Sequence, residues 1–247
     1  MQIYIKSAGF SVNQDYSWID QSGKNVDIDL SILSYNVEGV KFVWKSTDET
    51  IYIFGNAFID KSRTDLYNRP LRNYLLLEGQ IDEAISMFEC FEKMLLDQKN
   101  FEDLLNSNIR NEGGNSKAGF SADFQKISSY FDSHLSGVRE EYKLKRHLYE
   151  NDSYEAREGL LNELWSIRTK PVTLLVGGEL SAGRMQAIAP DRALLNNFND
   201  AEYRKYQGSA SGDLPKSVKK AAAVGIAVCA GTLITSVLVL ALFGNKD

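Results

Sequence analysis

The chain has little of the chemistry that holds metals or disulfides. It contains two cysteines, Cys90 and Cys229, and two histidines, His134 and His147, and none of them stands in a Cys-x-x-Cys or His-x-x-x-His spacing. Zinc sites and disulfide frameworks depend on such clusters. We therefore predict no metal site, no cofactor and no disulfide framework.

The chain also lacks an excess of basic residues. It carries 28 Lys and Arg against 33 Asp and Glu, a net charge of -5. Residues 216–247 hold four Lys and one Asp, which leaves the preceding residues with a net charge of -8. A body with this net negative charge repels phosphate backbones, and it has no basic stripe. We therefore expect no nucleic acid among its partners.

No complete catalytic motif is present. Residues 177–184 come nearest to a phosphate loop, but Arg184 follows the last glycine and Met185 stands where a hydroxyl would bind the metal. We therefore expect an ordinary strand-to-helix or hairpin turn there. The chain also has no Gly-x-Ser-x-Gly elbow. The sequence leaves enzymatic activity open but weighs against it.

One long hydrophobic run stands out against this background. Residues 221–243 contain neither charge nor proline. As a helix they would be about 34 Å long, enough to cross the hydrocarbon core of a bilayer with some tilt. A buried core helix seldom runs so far without a polar face. The run predicts a single transmembrane helix.

The residues on either side of this run predict its orientation. Lys216, Lys219 and Lys220 precede it, whereas only residues 244–247 follow, with one lysine among them. Positive charge stays on the cytoplasmic side. The start of the chain has no apolar signal core. We expect a tail-anchored, single-pass membrane protein whose N-terminal body faces the cytoplasm.

Small residues recur along two sides of the predicted span. Gly225, Cys229, Thr232 and Ser236 are spaced by three and four residues and lie on one side of the helix. Gly231 lies on a neighbouring side. The residues that form the predicted association face are Gly225, Cys229, Gly231, Thr232 and Ser236. Small side chains let helices approach closely, so this face favours a homo-oligomer or pairing with another span. A weakly hydrophobic anchor with no association is the alternative.

The remaining residues divide into a folded body and a tether. Residues 207–220 are rich in Gly and Ser, and the three lysines lie at their C-terminal end. They read as a flexible linker that holds the body close to the bilayer. Residues 1–206 are long enough to bury a core of their own. We predict a cytosolic α+β domain, a linker, a span at 221–243 and a short tail at 244–247.

The body begins with strands. Alternating apolar residues predict strands over 1–6, 26–32 and 40–44, and a polar turn at 46–49 returns the chain through 50–54 as a hairpin. The first sixty residues should therefore form a mainly antiparallel sheet. A buried strand over 171–176 follows later and is expected to join this sheet.

Helical periods follow the strands. Apolar residues spaced by three and four predict helices over 81–105 and 124–142, and a third helix whose start is signalled by Asp152 and Glu155. A weaker helix is expected from Asp191 to about Tyr206. The fold class is therefore α+β, an N-terminal mainly antiparallel sheet packed with a helical segment, plus one C-terminal transmembrane helix.

These features favour a scaffold or adaptor that presents a cytosolic domain to protein partners at a membrane. Two alternatives stay open. The small-residue face of the span would suit an effector that oligomerises and perturbs the bilayer. A membrane-tethered enzyme, for example a hydrolase, would assemble its site from residues scattered along the chain.

Overall fold

The computed structural model describes residues 1–11, 14–29, 39–112, 118–132, 139, 142–146 and 148–196. All of them belong to the first of the two units into which the chain divides, residues 1–200. Within this described part the fold mixes α and β structure, with one large sheet and five helices. Its strands are β1 Gln2–Ser7, β2 Ser17–Ile19, β3 Asn25–Val26, β4 Val40–Ser46, β5 Thr50–Thr64, β6 Pro70–Gln80, β7 Ile109–Asn111, β8 Phe120–Ala122, β9 Leu148–Asn151, β10 Val172–Gly178 and β11 Arg192–Leu195. Its helices are α1 Ala84–Leu96, α2 Gln98–Ser107, α3 Phe124–Asp132, α4 Tyr154–Ile167 and α5 Ala182–Ile188.

The large sheet has the strand order β3-β2-β1-β6-β5-β4-β10-β11-β9. Every pair from β3 to β10 is antiparallel, whereas β10 with β11 and β11 with β9 are parallel. The prediction of an antiparallel N-terminal sheet that the strand near residue 172 joins is thus confirmed. The parallel strands β9 and β11 make the complete sheet mixed. Strands β7 and β8 form a separate pair.

The predicted hairpin is formed by β4 and β5. Ser46 pairs with Ile51 and Trp44 with Ile53, and the backbone N–H of Thr47 donates to the carbonyl of Thr50 to close the turn. Alternation places Phe42 and Trp44 on the face that packs against the helices. Trp44 meets Phe91 of α1 with 5.5 Å between ring centroids.

The core lies between this face of the sheet and the helices. Phe88 of α1 packs edge-on against Trp165 of α4 at 5.1 Å, and Phe58 of β5 packs edge-on against Phe101 of α2 at 5.3 Å. Aromatic contacts of this kind stabilise a core beyond the area that they bury. The helices predicted from periods of three and four are therefore held by the face that those periods identify.

Three sequence-based predictions differ from the structure. The C-terminal helix predicted from Asp191 is wrong over its described part, because Arg192–Leu195 form β11. All four of its residues are buried, as expected for a strand covered on both faces, so no alternation marks it. Of the predicted strand over 26–32, Val26 belongs to β3, residues 27–29 have no strand pairing, and residues 30–32 lie outside the described residues. Tyr142 is not helical, since α3 ends at Asp132.

The third helix begins one residue later than its sequence signal indicated. Ser153, rather than Asp152, is the N-cap residue of α4, and its hydroxyl accepts a hydrogen bond from the backbone N–H of Ala156. The Asp152 carboxylate instead accepts two hydrogen bonds of 2.6 Å from the Arg157 guanidinium. Arg157 also donates to the carbonyl of Leu95 at the end of α1. The Asp152 carboxylate therefore orients the Arg157 side chain, which joins α4 to α1, instead of capping α4.

Candidate functional site

A cleft of about 510 Å³ opens where two loops meet at one end of the sheet. One wall is the connection between β1 and β2, and the other is the turn between β5 and β6 with the start of β6. The residues that line it include Gly9, Phe10, Asp15, Tyr16, Asp65, Leu66, Tyr67, Arg69, Arg72 and Tyr74. Pockets of this size are typical of ligand and segment binding. We call it the aromatic cleft.

The turn between β5 and β6 is held rigid by one carboxylate. Asp65 accepts hydrogen bonds from the backbone N–H groups of Tyr67 and Arg69 at 2.8 and 3.0 Å, and its other oxygen pairs with the Arg69 guanidinium at 2.6 Å. These hydrogen bonds, the backbone one from Arg69 foremost, lower the pKa of Asp65. Asn68 adopts a positive φ of 57°, which closes the turn. The turn thus holds Leu66 and Tyr67 outward.

Tyrosine rings form the floor of the cleft. The Tyr16 hydroxyl accepts a hydrogen bond of 2.9 Å from the backbone N–H of Arg72, and its ring stands edge-on to Tyr74 at 5.9 Å. Tyr74 in turn lies nearly parallel to Phe54, at 6.5 Å. The wall from the first loop is thereby tied to β6.

The sheet curls around these rings. Trp18 of β2 comes within 6.4 Å of Phe54 of β5, although β1 and β6 lie between the two strands. A flat sheet would keep such rings far apart, so β2 bends back over the face opposite the helices. A shallower depression of about 830 Å³, lined by Tyr16 and Trp18 among others, continues from the cleft along this concave face.

Exposed apolar side chains concentrate at the cleft. Phe10, Leu66 and Tyr67 line it and are 51%, 46% and 72% exposed, and Ile59, on the same β5–β6 hairpin, is 52% exposed. Four of the seven large apolar side chains that are exposed among the described residues therefore belong to one region. Isolated exposed apolar residues need no explanation, but a cluster beside a cleft indicates a binding surface.

A buried polar network supports the cleft from behind. The Arg63 guanidinium donates to the carbonyl of Ala8 at 2.7 Å, to the Ser7 hydroxyl at 3.1 Å and to the Asn111 side chain at 2.9 Å. One oxygen of the Asp60 carboxylate lies 3.8 Å from it. Burial lowers the pKa of Arg63, and the charge of Asp60 opposes this effect. Arg63 therefore fixes the loop that begins at Ala8 against the hairpin.

The glycines of the segment 177–184 serve the packing of the backbone. A Cβ on Gly178 would lie 1.7 Å from the carbonyl oxygen of Gly39, and both glycines have positive φ angles. Ser181 caps α5 by accepting a hydrogen bond from the backbone N–H of Arg184. The chain therefore makes the strand-to-helix turn that the sequence predicts, and Met185 is buried under it.

Cys90 lies in the core rather than on the polar side of its helix. Its side chain is buried, and its sulfur contacts that of Met1 at 3.7 Å. Burial raises the pKa of the thiol to about 12. A thiol with so high a pKa is a poor nucleophile at neutral pH.

The other candidates from the sequence lie outside the described residues. These are the two histidines, His134 and His147, the lysines Lys216, Lys219 and Lys220, and the span residues Gly225, Cys229, Gly231, Thr232 and Ser236. No helix in the described part of the chain is long and apolar enough to cross a membrane. Among the described residues, no three His, Cys, Asp or Glu side chains come together as metal ligands would.

The aromatic cleft was not predicted from the sequence. Its signal is present in the turn Asp65-Leu-Tyr-Asn-Arg69, where two large apolar residues occupy positions that normally carry polar ones. Phe10, in the loop between β1 and β2, is a second such residue. Neither signal shows that the two loops meet, since Tyr16 and Arg72 are 56 positions apart.

Comparison with known proteins returns no relatives. No protein-family model matches the chain, and neither a curated protein nor a solved structure matches it with significance.

Proposed function

We propose that this chain is a tail-anchored membrane protein whose cytosolic body acts as an adaptor, binding a protein partner in the aromatic cleft. The observation that carries the proposal is the clustering of Phe10, Leu66 and Tyr67 around one preformed cleft. Tyrosines with exposed rings on a rigid support are typical of binding hot spots, because they bury a large area while losing little side-chain entropy.

The geometry of the cleft suits binding to a partner. Its two charged turn residues, Asp65 and Arg69, form an ion pair. The Tyr16 hydroxyl accepts a hydrogen bond from the backbone N–H of Arg72. The surface that remains available to a partner combines ring and aliphatic groups with a similar share of polar groups from the two loops. The Arg63 network keeps the walls in place before a partner arrives, so binding does not have to order them.

The membrane part of the proposal is supported by the sequence. The uncharged run 221–243 follows three lysines, and the tether between the body and this run is short. A partner bound in the cleft would therefore be held close to the bilayer. The proposal joins two functions, anchorage by the C-terminal segment and recognition by the body.

Anchorage is tested by the topology of the chain. A protease added to sealed native membranes from the cytoplasmic side should remove the body and leave a protected C-terminal fragment that contains residues 221–243. The reason is that the three lysines hold the N-terminal side of the span in the cytoplasm. Mass spectrometry of the washed membranes identifies the fragment. Protection of the body, or complete digestion of the segment, would contradict the proposal.

Recognition is tested by photocrosslinking in the native host. p-Benzoylphenylalanine in place of Leu66 should yield a discrete protein adduct, whereas the same label in place of Ile85 should not. Ile85 is a matched control, because it is an aliphatic residue of similar exposure on α1, away from the cleft. Tyr67→Ala should remove the Leu66 adduct. Equal adducts at both positions, or only lipid adducts at Leu66, would contradict a protein-binding cleft.

A further inference from the structure

Several backbone N–H groups that line the aromatic cleft already donate hydrogen bonds within the protein. The N–H groups of Tyr67 and Arg69 donate to Asp65, that of Arg72 donates to Tyr16, and that of Gly9 donates to a carbonyl of its own loop. A segment that adds as a strand needs a row of free N–H and C=O groups. These walls do not offer such a row of donors.

The size of the cleft also limits what it accommodates. A helix with its side chains is about 10 Å across, so a volume of 510 Å³ would hold little more than one of its turns. A polyproline II segment is thinner and advances about 3.1 Å per residue, so three or four residues fit the same space. Such a segment has no internal hydrogen bonds and docks through its side chains on aromatic surfaces.

The charges at the cleft also limit which partner segments it can bind. Asp65 and Arg69 are paired with each other, and within the described residues no group pairs with the exposed Arg72 guanidinium. Asp15, on the opposite wall, is exposed, and one oxygen of its carboxylate accepts a hydrogen bond from the backbone N–H of Tyr16. A partner is therefore favoured if it carries one carboxylate near Arg72, and disfavoured if it is strongly acidic.

We propose that the aromatic cleft binds a proline-rich segment of a partner protein in the polyproline II conformation, with one carboxylate of the segment against Arg72. Proline rings pack on the faces of Tyr67 and the neighbouring rings, and the paired turn charges leave the centre of the cleft neutral. The proposal deepens the proposed function and rests on it, since it names the chemistry of the partner at the same site.

The test uses the full chain in phosphatidylcholine nanodiscs and measures fluorescence anisotropy of labelled dodecapeptides. The probe has a Pro-Pro-Leu repeat and ends in one Glu. Two matched peptides replace every Pro by Ala, or the Glu by Lys. The proline probe should bind at least about tenfold more tightly than the alanine peptide, because a preformed extended segment loses less conformational entropy.

Variants of the protein locate the binding. Tyr67→Ala should weaken the proline probe about tenfold or more, whereas Tyr154→Ala, which removes an exposed tyrosine on α4, should leave it unchanged. Arg72→Glu should reverse the preference from the Glu peptide to the Lys peptide. Together these results would establish both the class of segment and the place of its carboxylate.

Other outcomes overturn the inference, and they separate it from the proposed function. If the alanine peptide binds as tightly as the proline probe and both depend on Tyr67, the cleft binds protein segments but not the polyproline class. If binding is independent of Tyr67, it occurs elsewhere and the inference fails. If no peptide binds, the inference fails as well, and the crosslinking at Leu66 decides the proposed function by itself. Tyr67-dependent attachment to phosphatidylserine vesicles would then assign the cleft to lipid.

Discussion

Replacing Arg63 by Met is expected to lower the free energy of unfolding by about 3 to 5 kcal/mol, because it leaves a buried carboxylate and several buried acceptors without their donor. Asp60 is 1% exposed, and its Oδ2 has no hydrogen-bond partner among the described residues, although it lies 3.8 Å from the Arg63 guanidinium. The carbonyl of Ala8 would lose its donor too.

This loss should be visible as a lower midpoint in thermal unfolding followed by near-UV circular dichroism. For a body of this size the midpoint should fall by roughly 6 to 20 °C. Arg72→Met is the matched control, since its guanidinium is exposed, and it should change stability by less than about 0.5 kcal/mol. An unchanged midpoint in Arg63→Met would mean that the network does not support the cleft walls.

Gly178→Ala is expected to lower stability by about 4 kcal/mol or more, since the new methyl group would overlap the backbone and the residue would keep a positive φ. The Cβ would lie 1.7 Å from the carbonyl oxygen of Gly39, and no rotation of a side chain can relieve a contact with backbone. Because Gly178 pairs with Val40, the clash falls where β10 joins β4.

Gly159→Ala adds the same methyl group but is expected to raise the stability of the protein instead of lowering it. Gly159 lies inside α4, and a Cβ there would meet nothing within 4 Å. Alanine should therefore raise stability by up to about 1 kcal/mol through its helix propensity. Urea unfolding of both variants measures the contrast. If Gly178→Ala is tolerated, the glycines of 177–178 have a role other than close backbone packing.

Local sequence patterns predicted the strands and helices that have one solvent-exposed face and one buried face. Strand β1 is an example, because Ile3 and Ile5 are buried and alternate with the less buried Tyr4 and Lys6. The helix α3 is another, since Ile127 and Phe131 of its apolar period are its buried residues, whereas in α1 the predicted period includes Ile85, which is exposed. In such elements the sequence itself records which side faces water.

Alternation gave no sign of β11 or of the middle of β6, where both faces of the strand are covered. Strand β11 is buried at every position, and the middle of β6 is buried at three consecutive leucines, so neither shows the alternation of a strand. The aromatic cleft was missed for a different reason. It depends on the curl that brings Trp18 over Phe54 and on a contact between loops far apart in the chain, which no local period encodes.

The position of β10 in the sheet has a consequence for the order in which the body folds. β10 lies between β4 and β11, and the backbone at Val172 bonds to Ser46 from 126 positions away. The six N-terminal strands pair mostly among themselves and do so early, while contacts of such separation form slowly. Until β10 has been synthesised, β4 is an unpaired edge that carries Val40, Phe42, Val43 and Trp44. An apolar edge of this kind is prone to pair with other chains. The nascent protein therefore passes through an aggregation-prone stage that ends when β10 pairs with the exposed edge of β4.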